Sequence, residues 1–334
     1  MNSEQRCQAL CEELGLTQGS VIDRCEPLTG GVASDIYRLE VAEKVYCAKF
    51  ALEKLKVAAD WHAPVHRNQA EFAWLQVAAR MVPETAVKLF GHSAVHQGFV
   101  MEFVPPEQGY LWKQALLSGQ SDGAESPAVA EVIGRIHAMS SRPDFDASPF
   151  QNHSDFYDLR IEPYLVYTAS QQPQVGDALW RLVETLRLSN KALVHGDVSP
   201  KNIIFRSQGP ILLDAECATM GDPVFDVAFC LNHLLIKALH LPAKRNALLK
   251  SATNFWERYR QHIEWEEVSA FEVRLCRLLP ALMLARVAGK SPVEYLGNDN
   301  QSVLSRAAIN LIHDEPVRLE QLLANYKVQM EISP

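Results

Sequence analysis

The sequence predicts an α+β fold of two lobes: a small strand-rich lobe over residues 1–104 and a larger, mainly helical lobe over residues 105–334. Three observations carry this. Short β-prone runs fill residues 21–104, helical spacing dominates after residue 110, and PPEQG at 105–109 breaks the pattern between them. With 334 residues, 48% of them apolar, the chain can bury a core of that size.

The elements follow in order. MNSEQRCQALCEELGL reads as a polar helix with apolar positions at 7, 10, 11 and 14. VIDRCEPL, IYRLEV and VYCAKFA are strands separated by TGG and by a turn at Glu43 and Lys44. RNQAEFAWLQVAARMV, residues 67–82, is apolar at 70, 73, 74, 77, 78 and 81, which is helical spacing, and AVKLFGH and QGFVMEFV add two strands. Helices are expected over 124–140, 154–170, 174–190, 223–239, 243–263, 266–288 and 301–327 with breaks. The strands of this half are LV and IIF around a polar turn, and PILLDAE at 210–216.

Composition excludes several classes. Forty acidic against thirty-two basic residues leave a formal charge of −8 without long blocks of one sign, so no nucleic-acid partner is expected. Seven widely spaced cysteines without a C-x-x-C pair argue against zinc sites and disulfides and for a reducing compartment. The amino terminus lacks a signal-peptide core, and LLPALMLARVAG at 278–289 is too short to span a bilayer and is interrupted by Pro280 and Arg286. The expectation is a soluble cytoplasmic protein without a membrane partner; nothing in the sequence sets an oligomeric state.

The chemistry concentrates in LVHGDVSPKNIIF, residues 193–205. Asp197 and Asn202 lie on a turn, and the strand ILL delivers Asp214 at its carboxyl end. If the strands IIF and ILL pair, all three side chains meet at one end of the hairpin. Two carboxylates about 5 Å apart repel by roughly 3 kcal/mol at an effective dielectric near 20, so they need a cation or a shared proton. Hard oxygen donors of this kind suit Mg²⁺.

H-G-D-x-x-x-x-N, here His195 to Asn202, followed by a strand ending in Asp214-Ala215-Glu216 and then by GDPVFDVAF at 221–229, resembles the aminoglycoside phosphotransferase family. That family includes choline, homoserine and methylthioribose kinases and has a protein-kinase-like fold. The resemblance implies an ATP- and Mg²⁺-dependent phosphotransferase. Asp197 would be the base toward a substrate hydroxyl, and Asn202 and Asp214 the metal ligands. His195 would orient the loop, Lys201 would offset phosphate charge, and Asp226 would brace the loop.

The same resemblance asks the small lobe for nucleotide-binding residues. Lys49, on the strand VYCAKFA, would meet the phosphates, with Glu71 on the following helix as its partner and Glu53 as a competitor for that role. Gly30, Gly31 and Ser34, in LTGGVASDIYRL, would cover the phosphates. Met101, Glu102, Phe103 and Val104 would form the linker whose backbone reads the adenine.

Gly196 and Ser199 stand where protein kinases carry arginine and, in Ser/Thr kinases, lysine. No A-P-E pattern follows Asp214, so a small hydroxylated acceptor is expected: a sugar, amino sugar, amino alcohol or related metabolite. Glu216, Asp222, Asn232, His233, Arg160, Glu162 and Tyr164 are its candidate contacts. Charge is spread too evenly to choose between a cationic and a neutral acceptor. A nucleotide-binding pseudokinase and a metal-dependent hydrolase ligating through His195, Asp197 and Asp214 are the alternatives.

Overall fold

The computed structural model describes residues 2–29, 34–54, 56 and 63–331. Helix α1, Ser3–Glu13, opens on a capping box: Asn2 Oδ1 accepts the Gln5 N–H at 2.8 Å, and the Gln5 side chain accepts the Asn2 N–H at 3.0 Å. Strands β1 (Arg24–Leu28), β2 (Ser34–Val41), β3 (Lys44–Ala51), β4 (Leu89–Ser93) and β5 (Gly98–Glu102) form an antiparallel sheet in the order β1-β2-β3-β5-β4.

Alternation along β3 splits its side chains between two faces. Tyr46, Ala48 and Phe50 pack with Cys7, Leu10 and Cys11 of α1, whereas Cys47 joins the main core on the opposite side. Helix α2, Arg67–Met81, covers that opposite side through Ala70, Trp74, Leu75, Val77 and Ala78. Lys49 therefore points toward α2, and the apolar spacing of α2 brings Glu71 to the same side.

The chain continues through β6 (Tyr110–Leu111), α3 (Trp112–Ser118) and α4 (Glu125–Ser140). The helix expected over 154–170 is composite. It starts as α5 (His153–Phe156), widens into a π-helical stretch, Tyr157–Val166, around Pro163, and ends as α6 (Tyr167–Gln171). Helix α7 is Gly176–Arg187. Strands β7 (Ala192–Val194), β8 (Ile203–Arg206), β9 (Gly209–Leu212) and β10 (Thr219–Gly221) frame the polar turn. Helices α8 (Val224–His240), α9 (Arg245–Tyr259) and α10 (Val268–Ala288) follow, and the last expected helix divides into α11 (Asn298–Asp314) and α12 (Leu319–Glu331).

β8 and β9 pair as the expected hairpin, Ile203 opposite Leu212, but β7 pairs with β10, Val194 opposite Thr219, so the polar turn crosses between two ladders. The strands β6 and β10 went unread because two or three residues carry no period, and α3 because its seven residues make only two turns. All seven cysteines are free. Among the described residues no single helix is long and apolar enough to cross a membrane.

Leu10 is 0% exposed between α1 and the sheet. Leu10→Ala is expected to cost about 2–5 kcal/mol, read as a lower denaturation midpoint with an unchanged slope.

Candidate active site

The loop after β7 is held from below by Asp226, a fully buried residue in the first turn of α8. Its Oδ2 accepts the backbone N–H of His195 at 2.7 Å and its Oδ1 that of Gly196 at 2.8 Å. His137 Nε2 lies 3.2 Å from the same carboxylate, and His137 Nδ1 lies 2.8 Å from the Tyr259 hydroxyl. Such N–H donors, with the helix amino terminus, are what a buried carboxylate needs. Gly196 takes φ +82°, and a Cβ there would stand 2.9 Å from Cys217 Cβ. His195 Nδ1 accepts the Asp197 N–H at 3.1 Å, and the ring packs edge-on against Trp74. Burial lowers its pKa and keeps the imidazole neutral.

Asp197 is 4% exposed, and its two oxygens differ. Oδ2 accepts from Arg160 Nη2 at 3.1 Å and pairs with Lys201 Nζ at 3.2 Å, whereas Oδ1 has no partner among the described residues. Burial alone would raise its pKa, but Lys201 and Arg160 outweigh that and hold it well below the usual carboxylate range. Arg160 Nε also donates to Gly196 O at 2.5 Å. Arg160, expected to meet the acceptor, is thus committed to the Asp197 loop.

Lys49, 3% exposed, joins three elements. Its Nζ lies 2.7 Å from Glu71 Oε1 on α2 and 2.5 Å from Asp214 Oδ1 after β9, and the Asp214 N–H donates to Glu71 Oε1 at 3.1 Å. Glu71 rather than Glu53 is the partner. Burial would lower the Lys49 pKa, but the Asp214 and Glu71 carboxylates overcome it and keep the ammonium protonated. Asp214 sits at φ +70°, a conformation uncommon for a non-glycine residue. Asn202 Nδ2 donates to Asp197 O at 3.2 Å, which turns its carbonyl oxygen away from that bond. The Asn202 carbonyl and the Asp214 carboxylate are hard oxygen donors that fit Mg²⁺, which completes its shell with water and phosphate oxygens.

Gly30 and Gly31 lie outside the described residues. Ser34 is buried at the start of β2, with its carbonyl 3.4 Å from Lys56 Nζ. Met101 and Glu102 close β5; Glu102 makes a two-pronged ion pair with Arg206, at 2.7 and 3.2 Å, and Phe103 and Val104 follow.

Several acceptor candidates are used elsewhere. Glu216 is bound by Arg67 Nε at 2.7 Å, and Asp222 is gripped by Arg274 at 2.9 and 3.1 Å. Glu162 pairs with Lys290 at the surface, and Asn232 is fully buried away from the cavity beside Asp197. Tyr164 and His233 do line that cavity, a space of about 400 Å³ also bounded by Lys113, Lys237, Arg286 and Tyr295. Sequence reasoning missed these four. Lys237 and Arg286 carried a signal, a cation inside an otherwise apolar helical run, and Lys237 stands four residues after His233 on the same face of α8. The hydrolase alternative finds no ligand set: among the described residues no group of three or more His, Cys, Asp or Glu can hold a metal.

The chain belongs to the phosphotransferase enzyme family, whose model matches residues 24–262. It is 25% identical over 256 residues to a methylthioribose kinase of Bacillus mycoides (strain KBAB4), covering 67% of this chain and 64% of that one. A methylthioribose kinase of Bacillus cereus (strain B4264) is 24% identical over 277 residues, covering 74% and 65%. The alignments thus span a little under two thirds of these relatives. Its fold is shared with the choline kinase LicA from Streptococcus pneumoniae, at TM-score 0.52 and 16% identity over 93% of this chain and 99% of that one. The amicoumacin kinase hAmiN shares it at TM-score 0.58 and 16% identity, over 96% and 100%. The two-lobed α+β, protein-kinase-like architecture is therefore that of the small-molecule kinases.

Gly196→Ala places a side chain at positive φ and against Cys217. It is expected to cost about 1–3 kcal/mol from backbone strain alone, with a lower melting temperature as the measurement.

Proposed function

We propose that the protein is a small-molecule kinase that transfers the γ-phosphoryl group of ATP, with Mg²⁺, to a hydroxyl of its acceptor. The observation that carries this reading is the division of labour on Asp197: Oδ2 is held by two cations, while the buried Oδ1 is unpartnered in a residue that lines the cavity. A carboxylate oxygen so placed accepts a hydroxyl hydrogen and aims the oxygen. The family and the activities for which its relatives are named, methylthioribose kinase, choline kinase and amicoumacin kinase, support a small acceptor.

Asp197 is a weak base in this setting, which suits phosphoryl transfer. The transition state is loose, little charge develops on the attacking oxygen early, and positioning counts for more than proton abstraction. Lys49, clamped by Glu71, presents its ammonium to the nucleotide phosphates. Asp214 and Asn202 are the residues that would hold Mg²⁺, which supplies charge neutralisation at the transferring group. Lys201, on the rim beside Asp197, adds a mobile positive charge. Phe103 and Val104 would offer backbone groups to the adenine. The joint presence of buried Lys49, Glu71 and Asp197 with the half-buried Asn202 and Asp214 favours turnover over a pseudokinase role.

Purified protein with ATP and Mg²⁺ is expected to phosphorylate a member of a panel of sugars, polyols, amino alcohols and hydroxy acids. Asp197→Ala should lower kcat by about 10²-fold or more while the nucleotide still binds. Full activity in that variant would refute the assigned base. Lys49→Met should instead raise the KM for ATP as well as lowering kcat.

A further inference from the structure

The cavity beside Asp197 carries charge that phosphoryl transfer does not use. Four cationic side chains line it, Lys113, Lys201, Lys237 and Arg286, against two carboxylates, Asp197 and Glu294. Lys201 is paired with Asp197 and Lys113 with Glu294. Lys237 and Arg286 are left without a carboxylate at ion-pair distance among the described residues.

Both are buried. Lys237 is 1% exposed, and among the described residues its ammonium finds the His233 carbonyl at 3.5 Å, the Tyr295 hydroxyl at 3.3 Å and the face of the Tyr295 ring at 5.1 Å. Arg286 is 8% exposed; one Nη donates to the Tyr164 hydroxyl and to Ser291 Oγ, each at 3.0 Å, and its Nε has no partner among the described residues. They come from different helices, α8 and α10, yet line one cavity. Cations kept inside a protein are ordinarily paired, because desolvation is costly otherwise. Burial first, and then Lys113 and Arg286, push Lys237 down to about 7. Burial and all four cations lower His233 as well, leaving a neutral imidazole in a positive field.

We propose that the acceptor is an anion: a small hydroxylated molecule whose carboxylate or phosphate group sits between Lys237 and Arg286 while its hydroxyl reaches Asp197 Oδ1. This rests on the kinase reading for the hydroxyl but not for the anion. The arginine fork fits two oxygens of such a group, and Lys237 supplies a point charge beside it. A cationic acceptor would instead bring a further positive charge against these two. The cavity volume of about 400 Å³ suits a compact metabolite.

Calorimetry in the presence of a non-hydrolysable ATP analogue tests this with a matched series: glycerate, threonate and glycerol phosphate as anions, glycerol and threitol as neutral polyols, and aminopropanediol as a cation. The anions are expected to bind about tenfold or more tightly than their neutral and cationic counterparts, and the contrast of glycerate with glycerol phosphate separates carboxylate from phosphate. Lys237→Met should weaken the preferred anion by about 30-fold or more. It should also raise the melting temperature of the unliganded protein, because it removes an unpaired buried charge at similar volume, a change that a merely structural lysine would not produce. Preference for the polyol or the amine, no anion binding at about 10 mM, or undiminished anion binding in Lys237→Met would each overturn the proposal. Phosphoryl transfer is assayed separately: anions that bind through Lys237 but accept no phosphate would refute the kinase reading and leave the anion site standing.

Discussion

A single buried ammonium ties the molecule together. Lys49 leaves the middle of the five-stranded sheet, meets Glu71 from α2, and reaches Asp214 beyond the β8–β9 hairpin. Each charge would be expensive in the interior alone; the lysine satisfies both carboxylates, and the Asp214 N–H closes the triangle on Glu71. The sheet, the helix behind it and the hairpin of the helical lobe therefore share one electrostatic contact. Lys49 is the member the contact cannot lose, because without it two neighbouring carboxylates face each other with no cation between them.

The polar turn obeys a similar logic with opposite sign. Asp226 is fully buried and its carboxylate is answered by two backbone N–H groups, which sets the course of the chain through Gly196. Arg160 adds a clamp from the π-helical stretch, holding both the Gly196 carbonyl and the Asp197 carboxylate. What remains unclamped is one oxygen of Asp197. That oxygen is buried, in a residue that lines the cavity, while its twin is held by Arg160 and Lys201.

Beyond Asp197 the polarity reverses. A chain with a net charge of −8 presents a cavity whose unpaired charges are cations. Net charge is a sum over the surface, whereas recognition depends on the few groups that desolvation makes strong. The evenly spread charge of the sequence was no guide to the acceptor for that reason.

The polar turn was legible because its spacing is local: Asp197 and Asn202 are five residues apart, and the hairpin that adds Asp214 follows from two adjacent apolar runs. Lys49 and Glu71 were legible through period-two and helical spacing, which orient side chains before any packing is known. Arg160, Glu216 and Asp222, expected at the acceptor, are held by Asp197, Arg67 and Arg274, since sequence shows a charge but not the partner that takes it up. The sequence by itself determined the α+β class, the polar turn and the residue types around it. Only the tertiary structure decided which charges are spent on one another and which are left over, because pairing depends on distances between segments far apart in the chain: Lys237 and Arg286 meet at one cavity only when α8 and α10 pack.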